Sequence, residues 1–127
     1  MSASASLASH RYISLATFRR DGREVCTPVW FAASNGRLYV FTAGESGKVK
    51  RLRRSPRARV APCDMRGVVQ GAWRDATARL ITEPETIARA DAALREKYGV
   101  QRWLTDVFAR LLGRVRHRAW IEIAVDG

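Results

Sequence analysis

The dipeptide Asn35-Gly36 narrows what this chain can fold into more than any other feature. Both residues tolerate the positive φ of a type I′ turn, the tightest connection between antiparallel strands. The runs on either side are β-patterned. Glu24–Ala33 sets Val25, Thr27, Val29 and Phe31 on one face and Cys26, Pro28, Trp30 and Ala32 on the other, and Arg37–Thr42 supplies its partner. Arg11–Thr17 also alternates, and Arg20-Asp21-Gly22 turns it into the second run, which makes a three-stranded meander. Arg57–Cys63 reads as a fourth strand and Val68–Ile81 as a longer fifth, bent near Gly71. Arg118–Val125 is a sixth, with Ala119, Ile121, Ile123 and Val125 inward and Glu122 outward. Six strands in 127 residues predict a mainly β fold, a closed or nearly closed barrel that leaves no edge exposed.

Helices fall between the later strands. Ser46–Arg54 is a short one, capped by Ser46, held down by Val49 and Leu52, and stopped by Ser55-Pro56 because a residue before proline leaves the α region. Thr82-Glu83-Pro84-Glu85 has the form of a capping box, with proline in the first turn. The helix it opens buries Ile87, Ala90, Leu94 and Tyr98 and ends at Gly99; a second runs from about Gln101 to Leu112. One domain is expected over residues 11–127, behind a flexible tail at 1–10 whose SASASLAS lacks the features of a signal peptide. No run approaches the ~18 apolar residues of a membrane span. A cytoplasmic protein without a membrane partner is expected.

Charge speaks to partners. Lys and Arg total 23 against 12 Asp and Glu, a formal +11, which favours anions: nucleic acid, an anionic surface or a polyanionic small molecule. Arg far outnumbers Lys and Ala is plentiful, as in GC-rich genomes, so part of that excess is compositional. Cys26 and Cys63 form no C-x-x-C pair, and His10 and His117 have no metal-ligand spacing, so no metal site or disulfide is expected. Pro28 inside a strand marks an edge, a bulge or a place where pairing stops. A plain edge proline and a backbone approached by a ligand fit it equally.

The basic excess is concentrated after Thr42. Seven of the twelve residues Lys48–Arg59 are Lys or Arg. Free backbone N–H groups at a helix start already favour anions. Cations in the first turn oppose the helix dipole, and a broken local rule points to function. The bland alternative is a solvated basic face.

Ile13-Ser14-Leu15, Thr27-Pro28-Val29-Trp30-Phe31, Asn35 to Val40, Ser46 to Leu52 and Arg57 to Asp64, in that order and spacing, resemble the split β-barrel superfamily of flavin and deazaflavin enzymes. That superfamily includes the pyridoxamine-phosphate oxidases. The resemblance spans about Arg11 to Val125 and looks nearest to the small actinobacterial branch of enzymes dependent on coenzyme F420. It implies a six-stranded, Greek-key-like barrel of the FMN-binding type, with a helix after strand three and a helical pair before the last strand. It implies that Thr42, Ser46, Lys48 and Lys50 or Arg51 hold the ribityl phosphate. Thr27, Pro28, Val29 and Trp30 would run along the ring system, and Pro62, Cys63 and Asp64 would end the fourth strand near the same pocket, with Cys63 there for packing. F420 is favoured over FMN because its glutamate tail calls for a longer basic track, for which Arg51, Arg54, Arg57 and Arg59 are candidates.

A homodimer with cofactor sites at its interface is implied as well. The expected activity is hydride transfer between the reduced cofactor and an unsaturated or heterocyclic small molecule, with the ring and acceptor positioned by the protein. No catalytic residue is assigned; Arg74, Tyr39 and solvent are the proton-donor candidates. Trp73, Trp103 and Trp120 are candidates for an interface or pocket, with core packing the commoner role. A cofactor carrier without turnover is the alternative. A nucleic-acid module is disfavoured, since no recognition helix or stacking-aromatic motif is present.

Overall fold

The computed structural model describes residues 7–43, 46–99 and 118–126. Its strands are β1 (Tyr12–Phe18), β2 (Glu24–Ser34), β3 (Arg37–Ala43), β4 (Arg57–Cys63), β5 (Arg74–Ile81) and β6 (Arg118–Val125). Helix α1 (Gly47–Arg54) joins β3 to β4, and α2 (Pro84–Tyr98) follows β5. The strands close into a barrel in the order β1-β2-β3-β6-β5-β4, every pair antiparallel. A mainly β, six-stranded barrel with helices is what the strand pattern predicts.

Period-two alternation sorts the side chains. Ile13, Leu15, Val29, Phe31, Leu38, Val40, Val60, Ile121 and Ile123 fill the interior, with Leu7 buried among them. Asn35, with φ 52, and Gly36, with φ 77, make the expected turn. The β2–β3 register runs from Ser34↔Arg37 to Phe31↔Val40. Residues 24–30 of β2 pair with β1, while Phe41–Ala43 of β3 pair with β6. The barrel is therefore split between the first half of β2 and the last part of β3.

Outside the wall, α2 lays Ala90, Leu94 and Tyr98 over β2, β3 and β6, against Trp30, Ala32, Tyr39, Phe41 and Trp120. Trp30 stacks on Tyr98 with ring centroids 5.1 Å apart, and Phe41 meets Trp120 at 4.8 Å. Trp120 is thus a packing residue. The second helix expected at Gln101–Leu112, with Trp103, lies outside the described residues.

Two expectations are corrected. The fifth strand starts at Arg74, not Val68. Asp64 Oδ1 accepts from the amides of Arg66 and Val68, Gly67 takes φ 90, and only an isolated bridge, Cys63↔Val69, continues β4. Asp64 N donates to the Val68 carbonyl at 3.1 Å and Gln70 N to the Pro62 carbonyl at 2.8 Å, and the pairing stops there; Gly71 then lies so near Pro62 that a Cβ there would stand 2.7 Å from Pro62 Cγ. The capping box does not form either. Glu83 occupies the cap position with no side-chain cap bond, and Pro84 takes the first helical position.

Candidate functional site

One end of the barrel carries the β1–β2 turn, the end of β3, the start of β4 and, between these last two, α1. Val49 and Leu52 of α1 are buried, Leu52 within the barrel core. The helix thereby plugs this end and holds its polar face against the rim. Arg51 Nε donates to Thr17 Oγ1 at 2.6 Å, and Arg54 donates to the Phe18 carbonyl. Arg51 also folds its guanidinium over Gly47, where a Cβ would come within 2.7 Å of a terminal nitrogen.

The first turn of α1 has the chemistry of an anion site. It contains no acidic residue. Ser46 holds the N-cap position and its carbonyl accepts from Lys50 N at 3.2 Å, yet its side chain makes no cap bond. Ser46 Oγ is buried without a hydrogen-bond partner, which corrects the expected capping role. The amides of Gly47, Lys48 and Val49 have no intrahelical acceptor, as at any helix start. Lys48 is half-buried, and burial, then Arg51, pulls its pKa below the ordinary 10.5. Thr42 is buried on the inner face of β3, opposite Ala119. Lys50 is exposed on the outer side of the helix.

The remaining candidates form rows across β1. Val29 pairs with Ile13, which pairs with Pro62; Trp30 pairs with Tyr12, which pairs with Cys63. Thr27 lies level with Leu15 and Val60 and points inward, its Oγ1 buried without a partner. Pro28 faces outward beside Gly67, 3.7 Å from the position of a Cβ there. The structure therefore brings Thr27–Trp30 and Pro62–Cys63 together with one strand between them. It keeps the α1 residues as a second group at the barrel end. Asp64 is committed to its own turn, and the Cys63 thiol is buried, its pKa raised by that burial and by Asp64.

Other named residues separate. Arg57 stacks on Phe18 at 3.9 Å, and Arg59 pairs with Glu24 at 2.7 Å while standing 5.2 Å from the Trp73 ring. Neither continues the track begun by Arg51 and Arg54. In their place come Arg19, Arg20 and Arg23, which share a cleft of about 420 Å³ with Asp21, Gly47, Lys50, Arg51 and Arg54. The arginines flanking Asp21-Gly22 were visible in sequence as a turn, and only barrel closure places them beside α1. Tyr39 lies beneath α2, where its hydroxyl donates to Glu122 at 3.0 Å and where burial, then Glu122, raises its pKa. Arg74, the other protein candidate for proton donor, is exposed at the start of β5. Among the described residues there is no cluster of His, Cys, Asp or Glu suited to a metal, and no helix long and apolar enough to cross a membrane.

A phosphate ester carried by a planar cofactor fits this donor set. An orphaned hydroxyl, first-turn amides and a half-buried lysine with no carboxylate partner among the described residues are the groups such a dianion uses.

Comparison with known proteins accords with the fold. The sequence model of the pyridoxamine 5'-phosphate oxidase family matches residues 2–126. A conserved hypothetical protein of Mycobacterium tuberculosis superposes with a TM-score of 0.71 and 24% identity, over 100% of this chain and 82% of that one. The heme storage protein HutZ of Vibrio cholerae gives 0.71 at 14% identity, over 97% and 87%. A FAD-binding protein of Mesorhizobium loti gives 0.67 at 21%, over 95% and 83%. At these identities the likeness to the solved structures is one of fold. No curated protein matches the sequence. The chain belongs to the pyridoxamine 5'-phosphate oxidase family.

Proposed function

We propose that this member of the pyridoxamine 5'-phosphate oxidase family binds coenzyme F420, with FMN as the alternative, and acts as an oxidoreductase on an unsaturated or heterocyclic small molecule. The observation that carries the reading is Ser46 Oγ, buried and unpartnered at the start of a helix whose first turn holds no acid. A buried hydroxyl without a partner costs about 1–3 kcal/mol, which an acceptor oxygen would recover. Thr42, Ser46, Lys48 and Lys50 or Arg51 would hold the ribityl phosphate. Backbone groups of Thr27–Trp30 would line the ring. Pro62 and Cys63 would back this wall across β1, and Asp64 would shape the turn beyond it.

The bound cofactor supplies hydride chemistry; the chain binds, orients and excludes water. Cofactor sites at a homodimer interface, and a cytoplasmic setting, belong to the same proposal. A carrier without turnover is the second reading. It is favoured by the commitment of Tyr39 to Glu122 under α2, away from the ring wall, and by the storage and binding roles in the names of two structural relatives. A nucleic-acid module has less support, because Arg57 and Arg59 are engaged by Phe18, Glu24 and Asp75.

Titration of the purified protein with oxidised F420, FMN and haem, read by fluorescence or absorbance, tests the proposal. Saturable binding of F420 is expected, weakened about 10- to 100-fold in Lys48→Ala, since a hydrogen bond to a charged group contributes about 1.5–3 kcal/mol. Saturation by FMN alone would move the assignment to the alternative. Saturation by haem alone, or an affinity indifferent to Lys48→Ala, would remove the clamp. Oxidation of reduced F420 by a panel of acceptors then separates enzyme from carrier.

A further inference from the structure

The chain has three lysines. Lys50 is exposed and Lys48 belongs to the clamp, which leaves Lys97 near the end of α2. A half-buried lysine ordinarily lays its stem on apolar surface and sends its ammonium out to water. Lys97 turns the ammonium inward. Its Nζ stands 3.5 Å from the ring centroid of the fully buried Phe31 and 5.5 Å from that of Tyr98. One N–H donates to the His10 carbonyl at 2.6 Å. Among the described residues no carboxylate lies within 4.0 Å of it, that of the adjacent Glu96 included. An ammonium has three donors, and a ring face with one carbonyl leaves its charge unbalanced. The cost is visible in its pKa, which burial and then Arg11 pull down to about 8.

Lys97 lines a cleft of about 510 Å³ between the end of β2 and α2, a volume in the range of small-molecule sites. Alanines from both elements form its walls: Ala32 and Ala33 from β2, and Ala92 and Ala93 from α2. Their methyl groups leave open a space that larger side chains would fill, while Trp30 stacked on Tyr98 keeps the helix on the wall. Arg89 and Lys97 stand on one helix face, about 12 Å apart along the axis. Arg89 attends the Tyr39 hydroxyl, whose pKa it lowers, so Lys97 is the charged anchor of the cleft. No lining residue is shared with the phosphate clamp, with Thr27–Trp30 or with Pro62–Asp64.

We propose that this cleft binds a planar aromatic monocarboxylate, with its ring between the alanines of β2 and α2 and its acid group on Lys97. Methyl walls on a strand and a helix leave a slot, in which a flat ring makes more contact than a thick body. The acid supplies the counter-charge that the ammonium lacks, through a charge-assisted hydrogen bond in a partly dehydrated place. Glu96, exposed on the rim, disfavours a second acid group on the ligand. The site stands without the cofactor reading.

Calorimetric titration with 2-naphthoate tests the proposal, with naphthalene-2-methanol and decalin-2-carboxylate as its uncharged and saturated counterparts. One equivalent of 2-naphthoate is expected to bind, with the alcohol at least about tenfold weaker and the saturated acid several-fold weaker. Lys97→Met is expected to lose about tenfold or more. Ala92→Trp, at an exposed helix position, should fill the slot and abolish binding, while F420 or FMN affinity changes by less than about twofold.

A pH series separates an anchor from a residue that only shapes the cleft. The ionisable side chains of the elements packed on Lys97 are His10 and Arg11 before β1 and, on its own helix, Arg89, Glu96 and Tyr98; Trp30–Ser34 of β2 carries none. Because the acid favours the charged amine, wild-type affinity should fall about tenfold or more from pH 7 to pH 9.5 and stay level in Lys97→Met. Equal affinity for acid and alcohol, or for the flat and saturated acids, would overturn the proposal. So would a wild-type affinity indifferent to pH, binding untouched by Ala92→Trp, or displacement of 2-naphthoate by FMN. Loss of cofactor binding in Lys48→Ala with 2-naphthoate still bound is the expected sign of two separate sites.

Discussion

The two helices obey opposite rules. In α2, Pro84 takes the first position, Glu85 stands in the first turn, and Arg95 and Lys97 stand in the last, so its charges complement the helix dipole. Its apolar stripe is covered and its polar tip is used: the Tyr98 hydroxyl accepts from Phe31 N at 3.1 Å and faces the carbonyls of Arg11 and Phe31 at 2.6 and 2.9 Å. In α1 the first turn is free of acid, the N-cap side chain makes no bond, and five of eight residues are Lys or Arg. One helix is built to hold the wall together. The other sits on the barrel rim with unmet polar groups, and unmet groups in a native fold are where a ligand is to be sought.

The contrast breaks first at Tyr98. Tyr98→Phe leaves a buried amide and a carbonyl of β2 without their partner and should cost about 1–3 kcal/mol in urea denaturation. A loss below about 0.5 kcal/mol would show that the hydroxyl only fills space. Ser46→Ala should behave in the reverse way. An ordinary N-cap serine costs about 1 kcal/mol on removal, but this one makes no cap bond and its hydroxyl is buried unpaired, so the unliganded protein should lose no stability and gain up to about 1–3 kcal/mol, while F420 or FMN affinity falls several-fold. A full capping loss with unchanged affinity would assign the hydroxyl to the helix instead.

The smallest expected effect sharpens the α2 side. Lys97 Nζ donates to the His10 carbonyl at 2.6 Å and stands 3.5 Å from the Phe31 ring centroid. Burial, with Arg11 adding to it, brings its pKa down to about 8 from 10.5, although the ring face favours the cation. The unfolded chain then binds more protons between those values, so stability rises with pH across that window and the penalty is complete below it. Wild type should therefore gain on Lys97→Met between about pH 7 and pH 10, measured by denaturation at each pH. A constant difference would mean that the amine titrates normally.

Local pattern made most of the barrel legible. Alternation and Asn35-Gly36 placed β1 to β4 and β6 within a residue of their observed ends, because those signals are themselves local. The start of β5 was hidden: Val68 and Val69 look like strand residues, but they close the Asp64 turn, and their pairing with the end of β4 stops at Gln70, short of Arg74. At the candidate site, the cations of α1 were readable from their clustering. Arg19 and Arg20 were not, since their neighbourhood with Arg51 arises only when β1 pairs with β2 and α1 plugs the barrel. Arg59 misled for the same reason, as its partner Glu24 lies 35 positions upstream. The unmet hydroxyls of Ser46 and Thr27 have no sequence signature at all.

Strand β6 follows the others in the chain and yet stands between β3 and β5. Two ladders wait on it, and its pairing Leu38↔Ile123 closes one of the longest loops in the molecule. During synthesis, β3 and β5 are thus present as open edges until β6 emerges, an interval in which they can pair with another copy. Loop closure of that length also makes the last step of assembly slow compared with the early hairpins. The barrel that leaves no edge exposed when complete is, for the same topological reason, the form most in need of protection while it is being made.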